Sequence, residues 1–248
     1  MNTLRAVTFD LWQTLILDTP EGLRRARADR IEGVREVLER EGHRLGAADV
    51  ERAYDAVGRY LETVWAQHRD VGSRGQVRSL LETLGIEGKV PSDGRVMDAL
   101  DEAYRVPILR SLPVANVGAA EVLGALTQRG LRLALICNTG RTPGSMLRHV
   151  LDRLGLGAYF PVLTFSDEIG LRKPHPEIFS RTLTALGVEP REAAHIGDDV
   201  NTDVAGARGI GMRAIHLCHP TGASSRSDGA AAISRLTELP AVLFGAGS

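Results

Sequence analysis

The sequence predicts an α/β fold in which a doubly wound parallel sheet carries an inserted helical module. A short apolar strand at residues 5–10 opens the chain, and four helical segments without a convincing strand follow it. From residue 117 onward, buried strands alternate with short helices, which is typical of βαβ units in a parallel sheet. We therefore predict a core domain formed by residues 1–17 and 108–248, and a helical domain formed by residues 18–107.

The composition indicates a globular chain and gives no reason to expect a nucleic-acid or membrane partner. Of the 248 residues, 43% are hydrophobic and 25% are charged, and the formal net charge is -1. Neither a signal-peptide apolar segment nor an apolar run near the length of a membrane span is visible. Cys137 and Cys218 form no spaced metal or disulfide pattern, which suits a reducing compartment. We expect a cytoplasmic protein, either monomeric or homodimeric.

The helical module begins at a start signal. Residues 18–21 combine helix-capping candidates with a proline and a glutamate at the first helical positions. Apolar residues then recur at helical spacing, with charged residues on the opposite face. Arg24, Arg25 and Arg27 are interpreted as part of a solvated helix face rather than as substrate contacts. The four predicted helices cover residues 21–41, 49–68, 74–84 and 92–105.

The second part of the chain supplies most of the predicted sheet. Apolar runs predict strands at residues 131–137, 161–166, 193–197 and 212–217. Helices are predicted at residues 117–129, 143–154, 176–186, 200–208 and 236–244. Residues 221–228 are polar and are expected to form a loop. Residues 11–17 are too apolar for a surface loop and too short for a helix, so we expect them to fold back over the end of the first strand.

Polar side chains follow four of these strands, at the edge where a doubly wound sheet binds its ligands. Asp10 ends the first strand, and Cys137-Asn138-Thr139-Gly140 follows the second. Lys173 lies in the loop after the third strand, and residues 197–203 bring an acidic cluster after the fourth. One carboxylate in the position of a nucleophile, a small polar loop, a lysine and an acidic cluster are therefore predicted to meet in one crevice.

This combination of groups indicates phosphoryl transfer. Carboxylates that lie together raise each other's pKa or require a cation. Asp10, with the acidic cluster at residues 197–203, offers a few hard oxygen ligands, which suit Mg²⁺ completed by waters and a substrate phosphate. Lys173 would neutralise the nucleophile and the transferred group. The chemistry that fits these groups is transfer through an aspartyl phosphate.

The order of these motifs resembles the haloacid dehalogenase superfamily. Asp10-x-x-x-Thr14 is followed by a strand that ends in a small polar residue, then by Lys173 before a proline, and then by Gly-Asp-Asp-x-x-x-Asp. The stretches at residues 170–179 and 196–207 are the most specific part of the resemblance. The helical module between the first two motifs looks like the C1 cap of that superfamily. The resemblance covers essentially the whole chain.

The resemblance implies a role for each matched residue. Asp10 resembles the nucleophile and a Mg²⁺ ligand, and Thr14 resembles the threonine that orders the first loop. Lys173 resembles the lysine of the third motif. Asp198 resembles the metal ligand of the fourth motif, and Asp203 resembles its second acid, which binds the metal directly or through water.

Two positions depart from the pattern of the superfamily's phosphatases. Trp12 stands where a second Asp usually serves as general acid, so only its backbone carbonyl remains as a metal ligand. Losing a general acid lowers the rate by about 10²–10⁴. Three explanations are compatible with this loss: the substrate has a good leaving group, the cap supplies the proton, or catalysis is slow. Cys137 stands where Ser or Thr normally binds phosphate, and a thiol is a weaker donor. The Thr139 hydroxyl and the backbone amides near Asn138 and Thr139 are the expected substitutes.

Three functions remain open at this point. The leading hypothesis is a Mg²⁺-dependent phosphohydrolase of a small phosphorylated metabolite, with Asp10 as nucleophile. The second is a metal-free 2-haloacid dehalogenase, a branch that also carries an aromatic residue at the position of Trp12. Asp198 and Asp199 argue against it, because they would repel an anionic haloacid. The third is a scaffold of this superfamily retained for binding or regulation.

Overall fold

The computed structural model describes residues 4–218 and 230–245. Its strands are β1 (Ala6–Phe9), β2 (Ile16–Leu17), β3 (Val114–Ala115), β4 (Arg132–Cys137), β5 (Val162–Phe165), β6 (Ala193–Gly197), β7 (Arg213–Leu217) and β8 (Ala231–Ile233). Six of them form one sheet in the order β5-β4-β1-β6-β7-β8, and all neighbours in it are parallel. The strand order reverses at β1, which makes the C-terminal end of β1 the switch point of the sheet.

The helices lie on both faces of this sheet and in the insertion. They are α1 (Pro20–Arg40), α2 (Ala47–Trp65), α3 (Ser73–Thr83), α4 (Arg95–Arg105), α5 (Ala119–Gln128), α6 (Gly144–Arg153), α7 (Ser166–Ile169), α8 (Pro176–Leu186), α9 (Ala205–Gly209) and α10 (Leu239–Phe244). Within the described residues, none of these helices is both long and apolar enough to cross a membrane.

Two apolar clusters sandwich the sheet, because alternate strand residues face opposite sides. Phe9 packs in one cluster with Leu123 of α5 and Leu147 of α6. Ile136 packs in the other cluster with Phe179 of α8. All five side chains are fully buried. The doubly wound α/β fold predicted from the sequence is therefore confirmed.

Helices α1–α4 form the insertion and enclose an apolar cluster of their own. Each helix contributes a fully buried leucine, namely Leu38, Leu61, Leu80 and Leu100. The predicted start signal acts at α1, where the Thr19 hydroxyl accepts a hydrogen bond from the backbone N–H of Gly22 at 3.0 Å. A helical unit with a separate core can sit over the sheet edge without sharing the core of the sheet.

The structure departs from the sequence prediction in several short elements. β2 pairs antiparallel with β3, where the chain leaves and re-enters the core, and neither pairing nor strand β3 was predicted. β8 and α7 were also missed. The predicted helix at 200–208 begins as a π-helical turn, Val200–Val204, before α9. Elements of two to five residues are too short to show a hydrophobic period. The loop predicted at 221–228 lies outside the described residues.

Candidate active site

Asp10 lies directly after β1, at the switch point of the sheet. Its backbone N–H donates to the carbonyl of Ile196 in β6 at 2.8 Å, which continues the ladder between the two strands by one residue. The Asp10 side chain is 8% exposed. A carboxylate held at the end of a central strand, with little solvent around it, is well placed to act as a nucleophile on a bound ligand.

Lys173 joins two of the predicted acidic residues. Its Nζ lies 2.5 Å from Asp10 Oδ1 and 2.6 Å from Asp203 Oδ1, and it donates to the carbonyl of Ile136 at 2.7 Å. Burial alone would lower the pKa of Lys173, but the carboxylates of Asp10 and Asp203 raise it above its usual value. The ammonium group is therefore charged and forms the centre of a buried ion cluster.

The two carboxylates bonded to Lys173 differ in their surroundings. Burial raises the pKa of Asp10 above its usual value, and Asp203 and Asp198 raise it further against the effect of Lys173. Burial acts in the same direction on Asp203, but Lys173 and His195 lower its pKa below the usual value. His195 Nε2 lies 3.0 Å from Asp203 Oδ1. Lys173 and His195 thus stabilise the anionic form of Asp203, whereas the surroundings of Asp10 disfavour its anion, which an additional cation would stabilise.

The acidic residues fit a divalent cation. Asp10, Asp198 and Asp203 each bring one carboxylate oxygen within 4.8 Å of the others, and hard oxygen donors of this kind suit Mg²⁺. Asp203 is also bonded through its second oxygen, which accepts from the backbone N–H of Asp199 at 3.2 Å. A Cβ at Gly197 would overlap the Asp203 carboxylate, so glycine is required there. Asp10 and Asp198 are the residues that would hold the metal, together with Asp203 directly or through a water.

Asp199 does not belong to this group of three. Its carboxylate accepts hydrogen bonds from the backbone N–H groups of Asn201 at 2.7 Å and Thr202 at 2.9 Å. It therefore caps the turn that carries Asp203. The acidic run after β6 combines two tasks, since one member caps the turn and the other two face the carboxylate of Asp10.

The turn after Asp10 places its side chains in different environments. Gln13 has a positive φ of 57°, and its N–H donates to the carbonyl of Ile16 at 2.8 Å, so the chain reverses sharply. Thr14 is fully buried, and its hydroxyl has no hydrogen-bond partner among the described residues. The expected ordering role of Thr14 is therefore not visible as a side-chain hydrogen bond. Trp12 is half-buried and lines the cavity described below.

The loop after β4 uses its side chains within the protein. Cys137 is fully buried in the apolar cluster with Phe9, and burial raises the pKa of its thiol well above the usual value. Asn138 bonds the backbone of Lys173 twice, through Oδ1 to its N–H at 2.8 Å and through Nδ2 to its carbonyl at 3.1 Å. The Thr139 hydroxyl donates to Asp70 Oδ2 at 3.2 Å. These side chains position the loop, and the cavity is lined by Asn138 and Thr139 but not by Cys137.

Asp70 is a contact between the insertion and the core that sequence reasoning missed. It follows α2, and its Oδ2 accepts from Ser166 Oγ at 2.5 Å and from Arg172 Nη1 at 2.6 Å. Its Oδ1 accepts from the indole N–H of Trp65 at 3.1 Å. The sequence around Asp70 does not predict this role, because Ser166 and Arg172 lie about a hundred positions further along the chain. Its position nevertheless ties the insertion to Arg172, the neighbour of Lys173.

A cavity of about 440 Å³ lies between the insertion and the edge of the sheet. The insertion contributes aromatic and charged side chains, among them Arg30 and Tyr54, and the core contributes Trp12, Asn138 and Arg141. A volume of this size accommodates a small organic molecule. The cavity therefore provides room for a substrate next to the loop that holds Lys173.

The comparison with known families identifies the class of protein that this fold and site define. The sequence model of the haloacid dehalogenase-like hydrolases matches residues 4–211. The chain belongs to this family and is a hydrolase. The resemblance inferred from the motifs at residues 170–179 and 196–207 is thereby confirmed.

Individual relatives extend this result. Haloacid dehalogenase-like hydrolase domain-containing protein 3 of Bos taurus is 30% identical over 218 residues, which cover 88% of this chain and 83% of the relative. A phosphoserine phosphatase of Thermus thermophilus is 34% identical over 165 residues, which cover 62% of each chain. The crystal structure of a 2-haloacid dehalogenase from Pseudomonas syringae pv. Tomato DC3000 is 28% identical, with a TM-score of 0.71, and the match covers 97% of this chain and 98% of that one.

Proposed function

We propose that the chain is a Mg²⁺-dependent phosphohydrolase of a small phosphorylated metabolite, acting through an aspartyl phosphate on Asp10. The observation that carries this proposal is the cluster in which Lys173 bonds Asp10 and Asp203, with Asp198 close by. Such a site offers a nucleophile and, once a divalent cation is held, positive charge for the oxygens of a phosphoryl group. The phosphoserine phosphatase among the relatives supports a small phosphorylated substrate.

The proposed reaction has two displacement steps at phosphorus. A carboxylate oxygen of Asp10 attacks phosphorus, and the bond to the leaving oxygen breaks. A water then attacks the phosphorus of the aspartyl phosphate, which releases inorganic phosphate and restores the Asp10 carboxylate. The Lys173 ammonium stabilises the charge of Asp10 and of the transferred group in both steps. A bound Mg²⁺ supplies additional positive charge for the phosphoryl oxygens.

Trp12 carries no acidic proton for the leaving oxygen, so another group is needed for poor leaving groups. Among the described residues that line the cavity, Asp18 is the one carboxylic acid. Burial raises the pKa of Asp18 above its usual value, which favours the protonated form that a general acid requires. Asp18 begins the insertion, and we assign it the role of proton donor to the leaving oxygen.

A metal-free dehalogenase is the second candidate, because Trp12 lines the cavity and the 2-haloacid dehalogenase structure shares the fold over nearly the whole chain. In that reaction Asp10 would attack carbon and displace a halide. The acidic group around Asp10 disfavours an anionic haloacid. Chloride release from 2-chloropropionate without added metal would favour this candidate over the phosphatase.

The proposal is tested by phosphate release from an aryl phosphate with and without Mg²⁺. We expect turnover that requires Mg²⁺ and is lost in Asp10→Asn. Asp93→Asn is the matched control, because Asp93 is exposed and far along the chain from any predicted motif. Activity that persists in Asp10→Asn contradicts the nucleophile assignment. Metal or phosphate binding without turnover of any substrate in a broad panel would instead support a binding or regulatory scaffold.

Two further proposals concern the domain boundaries and the location of the protein. The separate apolar clusters of sheet and insertion support domain boundaries at 17/18 and 107/108, with residues 18–107 as a cap domain. The free thiols of Cys137 and Cys218 support a cytoplasmic location.

A further inference from the structure

The cavity contains two guanidinium groups that no carboxylate among the described residues neutralises. Arg30 of α1 donates through Nε to the carbonyl of Tyr104 at 2.9 Å and through Nη2 to Thr142 Oγ1 at 2.8 Å. Arg141, in the loop after β4, donates to the hydroxyl of Tyr104 at 2.6 Å and to the carbonyl of Tyr54 at 2.9 Å. All of these acceptors are neutral, and the Arg141 guanidinium also lies over the Tyr54 ring, 4.0 Å from its centroid. Both positive charges are therefore uncompensated by any carboxylate of the described residues.

Two other arginines in the same cavity differ in this respect. Arg27 is paired with Glu51 at 2.8 Å and with Asp55 at 2.9 Å. Arg172 is paired with Asp70 at 2.6 Å. The cavity thus contains two kinds of arginine. Arg27 and Arg172 are paired with carboxylates, whereas Arg30 and Arg141 have no carboxylate partner among the described residues.

Burying a charge that has no opposite charge beside it costs desolvation free energy. Arg30 is only 5% exposed, and a buried ion needs an opposite charge or strong hydrogen bonds to remain favourable. Each guanidinium carries five N–H groups, and two of them are engaged in the bonds described for each arginine. The remaining N–H groups can hold an anion, and the planar fork of a guanidinium matches a carboxylate especially well.

The position of these arginines separates them from the phosphoryl site. Arg141 follows Asn138 by three residues, and Asn138 holds the backbone of Lys173. Both residues line the cavity, together with the apolar side chains of Ile108 and Leu112. At about 440 Å³, the cavity is much larger than a phosphoryl group. Asp10, which would receive the phosphoryl group, does not line the cavity, so the part of the substrate that reaches Arg30 and Arg141 would be its leaving group.

We propose that Arg30 and Arg141 form an anion site that selects phosphate esters whose leaving group carries a carboxylate. This inference rests on the proposed phosphatase function and specifies its substrate class. The two arginines come from the insertion and the core, so a bound carboxylate also bridges the two parts of the molecule. Arg30 and Arg141 are then specificity-determining residues, which contact the substrate but not its reacting atoms.

The test compares two esters that differ only in this charge, 3-(carboxymethyl)phenyl phosphate and its primary amide, 3-(carbamoylmethyl)phenyl phosphate. The methylene group keeps the acidity of the two phenols alike, so leaving-group chemistry does not contribute. For the wild-type protein with Mg²⁺, we expect kcat/KM to be about 10- to 100-fold higher for the carboxylate, as for a charged hydrogen-bonded pair. In Arg141→Gln this ratio should fall towards one.

Arg35→Gln is the matched control for Arg141→Gln. Arg35 lies on α1, pairs with Glu32 and Glu39, and does not line the cavity, so its loss should leave the ratio of the two esters unchanged. If Arg141→Gln slows both esters equally and keeps their ratio, Arg141 has a structural role or binds the transferred phosphate, and the anion site is wrong. Arg30→Gln, checked by thermal unfolding, should reduce the ratio in the same way if it folds.

The wild-type measurement keeps this inference separable from the phosphatase proposal. Turnover of both esters with equal kcat/KM would retain the phosphatase and overturn the anion site. Turnover of neither ester would overturn the phosphatase. In that case, calorimetric titration with 3-(carboxymethyl)benzylphosphonate and its amide tests the site by itself. Tighter binding of the carboxylate by about tenfold or more supports the site, and equal affinity overturns it.

Discussion

The acidic cluster at the edge of the sheet and the cavity beside it differ in how their charges are balanced. At the edge of the sheet, the Lys173 ammonium pairs with the carboxylates of both Asp10 and Asp203, so this buried cation has anionic partners. Around Arg30 of the insertion and Arg141 of the core, both in the cavity, the partners are carbonyl and hydroxyl oxygens. In the proposed phosphatase, the cluster at the sheet edge is the reaction centre, and the two arginines of the cavity would pair with a negative charge on the substrate. Variants that change a charge in only one of these two regions test this difference.

The largest effect is expected at the lysine of the sheet edge. Lys173→Gln removes the charge between two buried carboxylates, so we expect a loss in kcat/KM of about 10³-fold and destabilisation of about 3 kcal/mol. Steady-state kinetics and urea unfolding measure the two effects. Lys89→Gln is a matched control, because Lys89 is the only other lysine in the chain and is exposed. Near-normal kinetics in Lys173→Gln would contradict the reaction centre described above.

The contact between insertion and core should contribute mainly to stability. Asp70→Asn leaves the Arg172 guanidinium without its carboxylate, and breaking a buried pair of this kind costs about 3 kcal/mol. Asp98→Asn removes the exposed pair with Arg74 and should cost less than about 1 kcal/mol. Urea unfolding of both variants measures the difference. Equal losses would mean that Asp70 does not tie the insertion to the core.

Restoring an acid at position 12 should change the dependence on the leaving group. We expect Trp12→Asp to raise turnover of alkyl phosphates about tenfold more than that of aryl phosphates, because alkyl leaving groups need a proton. Asp18→Asn should do the reverse and impair alkyl phosphates more strongly. The measurement is kcat/KM for a matched alkyl and aryl pair. Equal changes for both esters in Trp12→Asp would mean that the missing acid does not limit the rate.

The smallest expected effect is a pH dependence of stability caused by Asp167, which contacts the N-terminus of α6. Burial raises the pKa of Asp167 from 3.8 to about 6, although the backbone N–H of Gly144 donates to it at 3.1 Å. The folded state therefore binds this proton more tightly than the unfolded chain. The free energy of unfolding falls as the pH rises from 3.8 to about 6, and the loss is fully present above that range.

Asp167→Asn removes this loss while its amide oxygen can still accept from Gly144. We expect the variant to be more stable than the wild type at pH 7.5 by about 1 kcal/mol, a value reduced for the partial exposure of the side chain. The difference should vanish near pH 3.5. Urea unfolding at the two pH values is the measurement, with Asp93→Asn as the exposed control. A difference that is the same at both pH values would show that packing, and not titration, explains the change.

Much of the candidate site could be predicted from the sequence, because its residues follow predicted strands. Asp10, Lys173 and Asp198 follow buried strands, and parallel strands bring their carboxyl ends to one edge of the sheet. Cys137 was assigned to the phosphate site because of its place at the end of a predicted strand, but it shares a strand face with Leu135 and packs in the apolar core. The pairing of β2 with β3 was missed because two-residue strands have no period of their own.

The sequence alone determined the α/β class, the helical insertion, the order of the motifs and the acidic cluster with its lysine, since these depend on local periodicity and on residues at strand ends. The contacts between side chains across the cavity became visible only in the folded structure. Arg30 reaches Thr142 and Asp70 reaches Arg172, each across more than a hundred positions of sequence. Arg24 and Arg25 are exposed and Arg27 pairs with two carboxylates, whereas Arg30 of the same helix is buried and bonds neutral oxygens. Such contacts depend on how the insertion packs on the sheet, and a polar residue on a helix carries no local signal of its distant partner.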